Sequence, residues 1–145
     1  MTRRKNPLAT VEALYASRES VAGRELTAAE NALASARAQR QLLLDARDDQ
    51  RTPSAVLGVS GLQNRAEFLR KIDQAVAQQQ SVIERAKLEL DAAQRRYVHC
   101  RQRTMAVGKV NAKRLAQQRA IAAQRDQKEQ DAWRSPVRQT DAGES

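Results

Sequence analysis

The chain has 145 residues, 30% of them charged and only 3% aromatic. One Phe, one Trp and two Tyr cannot fill a globular interior of this size, and alanine swells the apolar fraction of 41%, so a thick multilayer core is excluded and long paired helices are favoured. The formal charge of +9 raises nucleic acid, anionic lipid or an acidic protein surface as partners without choosing among them.

The first segment, residues 1–7, is basic, with Arg3, Arg4 and Lys5, and no apolar stretch follows it, so no signal peptide is expected. Residues 8–51 read as helix one. They hold no proline and a single glycine, Gly23, in a stretch dominated by Ala, Leu, Glu and Arg. Alternate steps of four and three give a seam of Leu8, Glu12, Tyr15, Glu19, Ala22, Leu26, Ala29, Leu33, Ala36, Arg40 and Leu43. Its first half is poorly specified, because Val11, Leu14 and Val21 offer a competing stripe.

Residues 52–60 read as the hairpin loop, since Pro53, Gly58, Ser60 and the adjoining Gly61 disfavour a continuing helix. Residues 61–134 read as helix two, with a stronger heptad that runs from Leu69, Ile72, Val76, Gln79, Ile83, Ala86, Leu90 and Ala93 through Tyr97, Cys100, Thr104, Val107 and Asn111 to Arg114, Gln118 and Ile121. At 1.5 Å per residue the arms would span roughly 65 Å and 110 Å. Ser135 and Pro136 are expected to end the helix, and residues 135–145 to form a disordered tail.

The pattern therefore predicts an all-α fold, a long two-helix antiparallel coiled-coil hairpin with a C-terminal helix overhang. A turn centred near Val56 would set Leu8 opposite Thr104, leaving helix two without a partner beyond Thr104. There the seam turns polar at Asn111, Arg114 and Gln118, as suits a helix that is solvated or awaits another protein, a second copy of the chain included. No run of roughly 18 uncharged apolar residues argues for a membrane span. A single cysteine excludes an internal disulfide and suits a reducing cytoplasm.

Four features bear on function. Phe68 and Ala75 flank the seam beside Ile72 and Gln79, and Phe68 either caps the loop residues Val56 and Leu57 or heads an outward patch. Between Arg95 and Arg125 lie nine basic residues and no Asp or Glu, which suits either a solvated face that attracts an acidic partner or nucleic acid; interleaved aromatics for base stacking are missing. His99 and Cys100 point about 100° apart on a helix and have no third ligand nearby in sequence, so no metal is expected there. Trp133, near the end of a polar helix, is either a self-capping contact or a partner anchor. No Gly-rich phosphate loop, HExxH or GxSxG motif occurs, and two thin helices rarely form a converging pocket, so neither catalysis nor a cofactor is expected.

The loop, the short first helix, the segment GLQNRAEFLRKIDQAVAQQ from Gly61 to Gln79 and an EQD at Glu129 to Asp131 together resemble the FliJ family of the flagellar type III export apparatus. The resemblance implies a non-enzymatic stalk, cytoplasmic and peripherally associated with the inner membrane at the flagellar base. Its joined helix ends would enter a FliI-like hexameric export ATPase, and the expected ATPase contacts are Arg114, Arg119, Arg125 and Trp133. It further implies contact with an FlhA-like export gate through Phe68, Ile72, Ala75 and Gln79, where Gln79 replaces the family's histidine. Substrate chaperones are implied as further partners; nucleic acid is not, and membrane is reached only through the apparatus. Two alternatives stand beside this one: a YscO-like stalk of a virulence secretion system, and a generic basic coiled coil that binds nucleic acid or membrane.

Overall fold

The computed structural model describes residues 7–51 and 58–141, with side chains to residue 134. The basic segment before Pro7, the loop residues 52–57 and the last four residues of the expected tail lie outside the described residues. Two helices make up the fold, α1 over Pro7–Arg51 and α2 over Val59–Asp141, and among the described residues there is no strand. Pro7 opens α1 at the position where a missing N–H costs nothing. The helices pack antiparallel as a hairpin, as the heptads predict.

Helix two is longer than expected at both ends. Val59 and Ser60, read as loop, are already helical, and the Leu62 N–H donates to the Gly58 carbonyl at 3.0 Å to close the first turn. At the other end the helix runs on to Asp141, through the Ser135 and Pro136 expected to stop it and into the expected disordered tail. A proline removes one backbone donor and leaves the Ala132 carbonyl free; a solvated helix can pass that carbonyl to water, so the stop signal is weaker than it is in a buried helix.

The contacts divide the chain into two units. The first, residues 17–101, holds the core. Leu33, Ala36, Ile83 and Ala86 form a buried cluster with Leu90 packed against it, while Ala22, Ile72 and Ala93 are buried along the same heptads. Tyr97 covers Gly23, whose missing side chain leaves room for the ring. Exposed ion pairs join the arms, Arg47 to Asp73 and Arg96 to Glu25, both at 3.5 Å; such pairs contribute at most about 1 kcal/mol.

The second unit, residues 1–16 and 102–145, pairs through polar groups. The Thr104 hydroxyl donates to the Tyr15 carbonyl at 3.2 Å, and the Asn111 amide donates to the Glu12 carboxylate. Here the expected register needs correction. Thr104 faces Tyr15 and not Leu8, a displacement of one heptad, and helix two remains partnered as far as Asn111 instead of stopping at Thr104. A shift of seven residues preserves every seam position, so periodicity alone cannot detect it.

The competing stripe loses: Val11, Leu14 and Val21 are exposed, whereas Leu8, Glu12, Tyr15 and Glu19 are half-buried. Two stability predictions follow from this packing. Ile83→Ala should cost about 2–4 kcal/mol in urea unfolding, against less than about 0.5 kcal/mol for the exposed Leu88→Ala. Gly23→Ala should raise the melting temperature, because the added Cβ would meet Tyr97 at an ordinary 3.5 Å while the helix gains about 1 kcal/mol of propensity.

Candidate functional site

The four residues expected at the gate contact do not form one outward face. Ile72 is only 6% exposed and belongs to the seam. Gln79 also turns inward, its amide donating to the Ala36 carbonyl at 3.0 Å and to Gln39 Oε1 at 3.2 Å. Ala75 is half-buried, and Phe68 is 44% exposed. A surface built here would thus present the Phe68 ring and the edge of Ala75, with Ile72 and Gln79 holding the helix beneath them. The two loop residues named as its alternative cover, Val56 and Leu57, lie outside the described residues.

At the other end of the chain every described residue from 112 to 134 is exposed. Arg114, Arg119 and Arg125 stand in this stretch, and among the described residues the ion pairs hold none of them. Trp133 is 85% exposed, so its indole packs on almost nothing and the self-capping alternative has no described neighbour to rest on. Arg95, by contrast, is tied to Asp91 at 2.9 Å and Arg96 to Glu25, so the basic run is partly neutralised where it overlaps the paired helices.

The bare stretch keeps the heptad of the paired part. The seam positions after Asn111 are Arg114, Gln118 and Ile121, and one more cycle of three and four reaches Arg125 and Lys128. Lys128 escapes a reading that ends the seam at Ile121; continuing the same step is the signal that finds it. Leu115, on the edge of this face, is also exposed.

A shallow groove of about 310 Å³ lies between the helices of the first unit, lined by Arg18, Val21, Ala22, Glu25, His99 and Cys100 among others. Spacing along a single helix could not anticipate it, because its lining comes from both arms. Among the described residues no group of three or more His, Cys, Asp and Glu side chains could hold a metal ion, and no helix is long and apolar enough to cross a membrane.

These features define an antiparallel helical hairpin that presents exposed side chains along a bare helix end and beside its loop, the build of an interaction protein. The model of the flagellar FliJ protein family matches residues 4–135, nearly the whole chain, and the protein belongs to that family. Its role accordingly falls within flagellar protein export by a type III apparatus. No curated protein matches the chain.

Whether Phe68 braces the fold or serves its surface can be read from stability alone. Phe68→Ala should cost less than about 1 kcal/mol in urea unfolding, whereas Ile72→Ala, at the seam, should cost about 2–4 kcal/mol.

Proposed function

We propose that the chain is the non-enzymatic stalk of the flagellar export apparatus, cytoplasmic and held peripherally at the inner membrane, which engages a hexameric export ATPase with its bare helix end and the export gate with the Phe68 surface. The observation that carries this reading is the uncovered length of α2: from residue 112 to residue 134 a helix continues with no described partner, its basic side chains in solvent. An isolated helix gains stability from a tertiary partner more than from propensity, so a bare end of this length fits one that another protein completes.

Arg114, Arg119, Arg125 and Trp133 are the proposed ATPase contacts. The arginines supply charge-assisted hydrogen bonds to carboxylates, and Trp133 supplies a large apolar surface that loses water on docking. At the gate end Phe68 is the anchor, Ala75 extends its apolar surface, and Ile72 and Gln79 act by fixing α2 against α1. Both proposed surfaces are built on α2. The chain then couples ATPase to gate by position and charge, with no chemistry of its own. Substrate chaperones would be further partners in the same apparatus.

The decisive experiment is ATP hydrolysis by the purified export ATPase of the same cell, with and without this protein. Stimulation with hexamer assembly is the expected result, and R114E/R119E/R125E should abolish it while helicity by circular dichroism stays unchanged. An ATPase indifferent to the wild-type chain would refute the stalk reading. For the gate, Phe68→Ala should weaken binding to the gate protein's cytoplasmic part by about 1–4 kcal/mol and spare ATPase stimulation.

A further inference from the structure

The stripe that loses the competition for the hairpin seam remains on the surface of α1. Among the described residues, the exposed large apolar side chains of this helix are Val11, Leu14, Val21 and Leu42, and steps of three, seven and twenty-one put all four on one stripe. Within the unit of residues 17–101 the stripe borders two shallow grooves between the helices. The first, of about 310 Å³, is the one that Val21, Ala22, His99 and Cys100 help to line. The second, of about 370 Å³, is floored by small side chains, Ala28, Ala29 and Ala32 from α1 with Ala92 and Ala93 from α2. Glu25 and Arg96 line both grooves, so the two adjoin, and the 3.5 Å ion pair between them crosses the boundary with its side chains 52% and 60% exposed. From Val21 to Ala32 the combined groove runs about 17 Å, and its alanines let another helix approach closely.

Charge selects what covers this face. Its cations Arg18 and Arg96 are balanced by the carboxylates Glu25 and Glu89, which leaves no excess of positive charge to hold a polyanion. We infer that the occupant is a second copy of this chain, the two hairpins packed face to face about a twofold axis parallel to their helices, as an antiparallel four-helix bundle. Such an axis lays α1 of each hairpin along α2 of the other at the same height, antiparallel as it is within the hairpin. Each pairing across the hairpin is then repeated across the interface: Glu25 meets Arg96 of the second copy, Ala28 lies over Ala92, and Val21 packs beside His99. A twofold axis crossing the helices at this height would instead set Glu25 against Glu25 and Arg96 against Arg96. The two ion pairs thus close into a ring of four alternating charges, which specifies the orientation, while the alanines and Val21 provide the close contact. This pairing lies outside the stalk reading and does not depend on it.

The test is sedimentation of the full-length chain at increasing concentration, where the wild type should pass from monomer to dimer. A28Q/A92Q adds bulk at two exposed positions and should move that transition to a concentration about tenfold higher or more, with helicity by circular dichroism unchanged. E25R and R96E should each stay monomeric, because the ring would hold only cations in the first and only anions in the second. An equimolar mixture of the two should dimerise again, since each chain then meets its opposite. A wild type that stays monomeric throughout, a dimer indifferent to A28Q/A92Q, or a mixture that fails to restore pairing would overturn this dimer and leave the stalk reading standing.

Discussion

Close contact between two thin helices is the constraint on which everything else in this protein depends. Among the described residues only seven side chains are buried, and four of them, Ala22, Ala36, Ala86 and Ala93, are alanines. Each alanine contributes little apolar area, on the order of 1 kcal/mol, but it brings the backbones near enough for Leu33, Ile72 and Ile83 to be covered on both sides. Stability here comes from repetition along the seam and not from depth. That leaves nearly every other position free to face solvent or a partner, which is why so basic a sequence folds without burying a charge: among the described residues no charged side chain is buried.

The seam is graded in chemistry. In the unit of residues 17–101 its buried members are apolar, and one amide, Gln79, is directed onto a backbone carbonyl of the other helix. In the unit of residues 1–16 and 102–145 it is held by Thr104 and Asn111, whose hydrogen bonds specify register but contribute less than apolar burial does. Asn111 keeps one buried acceptor, its Oδ1, without a partner, a small cost accepted beside the point where pairing stops. The last paired turns are thus the least stable, next to the stretch the protein offers outward.

Much of the fold was legible in the sequence, and the parts that were not share one cause. The heptad of α1 named Leu8, Glu12, Tyr15, Glu19, Ala22, Leu26, Ala29, Leu33 and Ala36, all of them buried or half-buried; Arg40 alone among its members up to Leu43 is exposed, its long side chain reaching water. Register was misplaced by one heptad because periodicity fixes which face is buried and says nothing about how far one helix has slid along the other. The candidate surfaces were legible as positions and illegible as orientations. Spacing placed Phe68 and Ala75 beside the seam and Ile72 and Gln79 on it, but that Gln79 spends its amide on Ala36 depends on the opposite helix, which no pattern along one arm contains. Trp133 was ambiguous for the same reason until its neighbourhood was known.

The same insensitivity to shifts of seven governs how such a chain can change length. Removing or adding seven residues leaves the seam face unchanged, since each seam side chain hands its place to the next equivalent one; an insertion of three or four would turn the helix by roughly 40–60° and locally overwind or unwind the pairing. A hairpin of this kind therefore has a built-in unit of measure. Its length changes without disturbing the seam in increments of two helical turns, about 10 Å.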